Sequence, residues 1–431
     1  MKERVKSWVL LLLVIGSLVE SYYLIYRLPG ADSAVFSATT YIKTDNMGPE
    51  LKVEDLLYPD QMIIHRGEDR HTLFYPGTTF YNLILGRLKG RSFESFERRS
   101  VSEFDWTRIR KEDPGIELTF GSGIPVQLLQ RTMQMAPDSL FDDEIISRIW
   151  IYSVPNDSKA HAVFFSERGD IVYEAAKVDL TVQDIQQHVD FGSGWTPYTT
   201  ADGSYYVPEN DLPMVAAELP SGLYTIAQMQ SSLFFDAGST RYIQEKDGSE
   251  IYTDSKRSLQ VDPKQNWISY SDPAALPAGE GSPAEDVLEA VDFVNKHGGW
   301  NGTYRLDRAE EGPEERRIVF QQYYGLLPYG SFPVLNESGL RYGSMELLLQ
   351  QGSVAGYERS LMYADEDLAE KKAVKLRGGD VLRSRLAALA GSAGIRALQP
   401  GYLPSVQNDR IILTPVWKVT LKDGRVLALD L

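Results

Sequence analysis

The sequence predicts an α+β protein: a single N-terminal transmembrane helix followed by a multi-domain extracytoplasmic region of antiparallel sheets with packed helices. Three observations carry this expectation. Ser7 to Tyr26 is an apolar run broken by one charge, Glu20, and at 1.5 Å per residue such a run spans the roughly 30 Å hydrocarbon core of a bilayer. The rest of the chain alternates short strand-like runs, bounded by Gly and Asp turns, with a few segments of helical spacing that carry capping signals. Finally, 431 residues with 43% hydrophobic and 11% aromatic content suffice for real cores.

Lys2, Arg4 and Lys6 precede the apolar run and mostly polar or acidic residues follow Arg27, so the positive-inside rule places residues 1–6 in the cytoplasm as a tail, 7–28 as the anchor, and the bulk outside. A cleaved signal peptide would also begin with a basic segment followed by Trp8 to Ile15. No small-x-small site follows promptly, the nearest lying around Ala31 to Ala38, and the run is too long for an h-region. Tyr22, Tyr23 and Tyr26 sit where an interfacial aromatic belt belongs. The net charge of −16 excludes the basic surface that nucleic acid requires. The absence of cysteine removes disulfides, thiolate metal sites and thiol nucleophiles together.

Residues 29–195 are expected to form a first α+β ectodomain, entered by a polar stalk over residues 29–60. In it Met62 to His65 and Thr72 to Tyr75 read as a hairpin, and Thr78 or Thr79 caps a helix to Gly90. Glu117 to Phe120 reads as a strand and Val126 to Met133 as a helix after Pro125. Ile145 to Tyr152, Ala162 to Ser166 and Ile171 to Ala175 read as a meander. Residues 87–113 hold eight basic and six acidic side chains, the pattern of a solvated helix face. A mainly β second domain, 196–280, contains a hairpin turning at Asp247 and Gly248, and strands at Ser258 to Val261 and Trp267 to Tyr270. The stretch from Asp272 to Pro283, with three prolines and two glycines, reads as a linker at which a C-terminal α+β domain, 281–431, separates. That domain opens with Ser282, Pro283 and Glu285 as N-cap, N1 proline and capping-box acid. Strands around Ile318 to Tyr324, Met345 to Gln350 and Tyr357 to Tyr363 follow, then a helix buried through Leu382, Leu386 and Leu389. A hairpin turning at Lys422 to Gly424 ends the chain.

No catalytic, cofactor-binding or metal-binding residue emerges. The five histidines lack zinc-helix spacing, although His65 and His71 flank the first turn and can face each other as a satisfied polar pair. Ala390 to Gly394 departs from a nucleophile elbow at its first position and reads as a helix C-cap. Asp365, Glu366 and Asp367 lack a calcium-loop glycine and read as the start of a helix. Glu20 stands out. It lies about 5 Å from the helix midplane, where a carboxylate is costly and faces a partner or a cavity, or else snorkels to the interface. Gly16 and Ser17 sit one turn before it, and Ser21, Leu13 and Leu24 extend the same side. Leu13, Gly16, Ser17, Glu20, Ser21 and Leu24 therefore make a candidate helix-packing face.

Leu233 to Val261 (LFFDAGSTRYIQEKDGSEIYTDSKRSLQV), Phe293 to Trp300 (FVNKHGGW) and Leu413 to Leu427 (LTPVWKVTLKDGRVL) resemble the YycH family, membrane-anchored accessory proteins of the WalK/WalR (YycG/YycF) two-component system of Gram-positive bacteria. The last stretch also resembles the related YycI family, while the longer chain with extra domains is similar to YycH. The resemblance implies a non-enzymatic regulator that associates with a YycI-like partner. Both anchor helices would contact the transmembrane helices of the sensor kinase WalK and so control cell-wall metabolism. The alternative function is an extracellular binding module for wall polymer or peptide, built on tyrosines such as Tyr323, Tyr324 and Tyr329, although core packing also accounts for these rings.

Overall fold

The computed structural model describes Lys6, Val14, Ser17 and residues 46–431, apart from 156, 265, 274, 276–280, 312–314 and 337–338 and the side chains of 311 and 390–393. The chain forms two compact units, Met1–Ile42 and Lys43–Leu431. In the first, Lys6, Val14 and Ser17 are helical and exposed. Among the described residues no helix is long and apolar enough to cross a membrane, and the rest of the expected anchor lies outside them.

Three largely antiparallel sheets build the second unit. The ten-stranded first sheet runs, edge to edge, Val207–Pro208, Pro197–Thr199, His71–Phe74, Gln61–His65, Gly115–Pro125, Ile145–Ser153, Ala160–Ser166, Ile171–Val178, Ser92–Ser100 and Gln134–Met135. The second runs Met362–Ala364, Leu212–Leu223, Arg410–Leu421 and Ile395–Gln407, with Glu370–Leu376 and Val426–Leu429 paired alongside. The third runs Arg241–Gln244, Glu250–Thr253, Ser258–Asp262, Trp267–Ser271, Ser353–Ser360, Ser344–Gln350, Arg316–Leu326 and Thr303–Glu311, with Gly330–Pro333 paired to Arg316–Leu326.

The hairpin Gln61–His65/His71–Phe74 joins two cores. Its register sets Met62 opposite Phe74 and Ile64 opposite Thr72; Met62, Ile64 and Phe74 enter a core shared by the first and third sheets. By the period-two rule, Ile63 and Leu73 point the other way, into a second core with Met214, Leu413 and Trp417. Strands buried on both faces hold their register firmly, because a one-residue slip would exchange the two faces. On the third sheet, the helix Pro283–Lys296 starts at the expected capping box. Ser282 Oγ accepts from Glu285 N–H at 3.2 Å and Glu285 Oε2 accepts from Ser282 N–H at 2.8 Å. Val287, Val291 and Val294 enter the core.

Several expectations are corrected. The stalk does not extend to residue 60, because Val53, Leu56 and Leu57 are buried in the first core. Residues 92–100 are a strand. Phe93 and Phe96, whose spacing imitates a helix, are both buried in the strand, on either side of Ser95, which takes a φ of 60° while the register against the strand Ile171–Val178 stays in step. Asp365–Asp367 lie in a turn between two strands, where Asp365 Oδ1 accepts from Asp367 and Leu368 N–H. The division at 272–283 does not separate a domain: Trp267–Ser271 pairs with Ser353–Ser360, and Leu212–Leu223 pairs with Arg410–Leu421. The first expected boundary, near 195, is likewise crossed by pairing of Pro197–Thr199 with His71–Phe74. Residues 281–431 expressed alone would lack partners for two sheets and are expected to show no cooperative thermal transition by circular dichroism; a two-state melt from that fragment would restore the separation.

Candidate functional site

Two polar constellations stand out, one buried and one open. The first grows from the hairpin. His65 and His71 are directly opposed in register, and their Nδ1 atoms lie 3.1 Å apart. Pairing of Gln61–His65 with Gly115–Pro125 brings in Glu117, whose Oε2 is 2.9 Å from His65 Nε2, and Arg148 Nη1–H donates to Glu117 Oε1 at 3.0 Å. His65 stacks on Trp150, with ring centroids 4.7 Å apart, and Tyr206 meets His71 edge-on. Burial alone would raise the Glu117 carboxyl, but Arg148 and His65 outweigh it and hold the pKa near 2.

Hydrogen-bond chemistry fixes the tautomers. Facing a carboxylate, His65 Nε2 carries its proton, so His65 Nδ1 accepts from His71 Nδ1–H. His71 Nε2, 3.3 Å from Asp69 Oδ1, then bears a lone pair unless the ring is protonated, which burial and then His65 resist by lowering its pKa to about 4. Among the described residues no group of three ligating side chains could hold a metal. The sequence indicated the pair but not Glu117, which strand pairing supplies from 52 residues away.

The open constellation is a cleft of about 380 Å³ between the helix Thr79–Lys89 and the hairpin Arg316–Leu326/Gly330–Pro333. Tyr58, Tyr81, Leu85, Leu326, Leu327 and Glu366 line it. Leu327 is 67% exposed at its mouth. Glu366 lies on an exposed turn, and desolvation of its carboxyl raises its pKa. Two tyrosines singled out from sequence, Tyr323 and Tyr324, are buried beside the cleft, and Tyr329 is half-buried. Gly394, with φ 67°, follows the helix Gly379–Ala393 as its C-terminal turn. Of the membrane-face candidates, Ser17 is helical and exposed, whereas Leu13, Gly16, Glu20, Ser21 and Leu24 lie outside the described residues.

Fold and geometry define a class: a three-sheet α+β protein with an open cleft whose lining includes two tyrosines and one carboxylate. Residues 3–190 match the YycH protein N-terminal domain and residues 202–431 the YycH protein C-terminal domain, so the chain belongs to the YycH family, a family of regulatory proteins. The crystal structure of YycH from Bacillus subtilis aligns over 90% of this chain and 98% of its own, with a TM-score of 0.67 at 15% identity, a likeness of fold. The Bacillus megaterium YpeB C-terminal domain aligns over 48% of this chain and 99% of its own at 12% identity, with a TM-score of only 0.24. No curated protein matches the sequence.

Glu117→Gln keeps the side-chain shape but leaves Arg148 and His65 without their anion; a loss of roughly 3 kcal/mol in unfolding free energy is expected from denaturant titration, and an unchanged midpoint would refute the role of the ion pair. The histidines set a pH dependence. Burial lowers His65, and it lowers His71, His188 and His297 to about 4, whereas the unfolded side chains titrate near 6.5. Between about pH 6.5 and 4 the unfolded chain therefore binds more protons, and stability falls on acidification. His161, raised chiefly by its bond to Glu174, acts in the opposite sense and loses its contribution as pH rises. His188 is buried with neither ring nitrogen hydrogen-bonded, so His188→Leu is expected to raise the Tm more at pH 5 than at pH 7 in calorimetry; equal shifts would show that its protonation is not involved.

Proposed function

We propose that this chain is a non-enzymatic, membrane-anchored regulator of a WalK-type sensor histidine kinase, acting with a YycI-like partner to control cell-wall metabolism signalling. The observation that carries this reading is the match to both YycH domains, which between them take in most of the chain. In this reading the run Ser7 to Tyr26 is a single-pass anchor with a cytoplasmic N-terminus, and the three-sheet unit lies outside the cell. The face formed by Leu13, Gly16, Ser17, Glu20, Ser21 and Leu24 packs against a partner helix. An intramembrane carboxylate is retained at a cost that a hydrogen-bonded partner offsets, and Gly16 lets two backbones approach closely. A wall-binding surface built on Tyr323 and Tyr324 is disfavoured because both rings are buried.

Glu20→Leu and Gly16→Leu are expected to leave the protein inserted and its exterior folded while changing the autophosphorylation of the kinase in reconstituted membranes. Leu11→Ile, on another face, is expected to change little. Unchanged kinase output with both Glu20→Leu and Gly16→Leu, at matched protein levels, would return regulation to the exterior.

A further inference from the structure

We propose that the cleft between Tyr58 and Glu366 binds the side chain of a peptide lysine, a primary ammonium on an apolar stem. This goes beyond the kinase-regulator reading and does not depend on it.

The argument begins with the walls. Tyr81 and Leu85, on the helix Thr79–Lys89, form one side, and Leu326 and Leu327, at the tip of the facing hairpin, form the other. The two sides are tied together by Ser331 N–H, which donates to the Pro76 carbonyl at 2.6 Å, and by Tyr75 and Phe332, whose rings meet edge-on with centroids 5.2 Å apart. The cleft is therefore already built, and a ligand entering it has little ordering cost to meet. At about 380 Å³ it lies at the small end of ligand sites and suits a single side chain.

The polar end selects the charge. Glu366 makes neither a hydrogen bond nor an ion pair; the nearby cation acting on it, Lys371, does so only at a distance. The hydroxyl of Tyr58, a residue of the cleft lining, is buried without a partner. Behind them Gln322 Oε1 and the Tyr324 hydroxyl are likewise buried and unpartnered. Gly302 keeps this end open, since a Cβ there would lie 2.8 Å from Gln322 Nε2 and 3.8 Å from Glu366 Oε1. A carboxylate lacking a counter-charge at the edge of a largely apolar cleft recognises a compact donor of positive charge. With a single carboxylate in the cleft lining and no metal-sized cluster among the described residues, that donor is an organic cation. An ammonium is a point charge that needs no bidentate partner, unlike a guanidinium. The acidic chain, at net charge −16, favours the approach of cations.

The test uses the full chain in lipid nanodiscs and ligand-observed saturation-transfer NMR. The probes are N-α-acetyl-lysine amide and N-α-acetyl-norleucine amide, which share a stem but differ in the terminal charge. Transfer to the lysine δ and ε methylenes is expected, with binding at least about tenfold tighter than that of norleucine, the scale of one charge-assisted hydrogen bond. Glu366→Gln removes the charge on an exposed turn, and Asn82→Lys, at an exposed position in the cleft lining, supplies a tethered ammonium. Each is expected to keep the parent Tm within a few degrees and to remove the preference for lysine. Equal binding of the two probes to the parent chain, or lysine binding that survives both substitutions, would overturn the proposal.

Discussion

The carboxylate of Glu117 is the constraint on which much of this fold depends. It is 2% exposed and remains ionised because Arg148 and His65 each place a donor on it. A charge in that position is tolerated only when its geometry is fully specified, and specifying it fixes three strands at once: Gln61–His65, Gly115–Pro125 and Ile145–Ser153 each contribute one member. The same register then sends Met62 and Ile64 to one core and Ile63 to the other. The polar network and the two apolar cores are thus alternate faces of a single pairing, and a change that loosens one loosens both.

Local patterning was legible where a single chemical signal was enough. The capping box at Ser282, the hairpin turn at Gly248 and the opposition of His65 to His71 all follow from side chains close in sequence. What escaped was governed by pairing between distant strands. Leu212–Leu223 contains Pro213 and Pro220, and Ile395–Gln407 contains Pro400 and Pro404, residues that ordinarily argue against a strand interior. In the second sheet, Pro213 pairs only with Lys375 and Pro220 only with Arg410, and Ile395–Gln407 is an edge strand. Each proline therefore stands where one side of the strand needs no donor. Thr303–Glu311 was hidden by its charges, which suit an edge.

The site was legible to a lesser degree. Tyr323 and Tyr324 marked the right hairpin for the wrong reason, since their rings pack inward and it is the backbone turn beyond them that shapes the cleft. Glu366 was visible as part of an acidic run and assigned to a helix start. Its significance arises only because the turn carrying it folds against the helix Thr79–Lys89, nearly three hundred residues earlier in sequence. No local pattern encodes a missing counter-charge.

In the proposed reading, a regulator that does no chemistry acts by binding two states of its target unequally. The continuity of the sheets across residues 272–283 bears on how that difference is expressed. Strands from both sides of the proline-rich stretch share the second and third sheets, and this pairing ties the C-terminal part to the rest and opposes its swinging as a separate body. The cleft walls are tied by the bond from Ser331 to Pro76, so occupancy there would alter the surface offered to a partner instead of closing one domain upon another. In the regulator reading, the message to the kinase is then carried by which helices and surfaces associate. That places the energetic weight on contacts such as the Gly16 and Glu20 face, where one unmatched carboxylate in lipid is worth several kcal/mol.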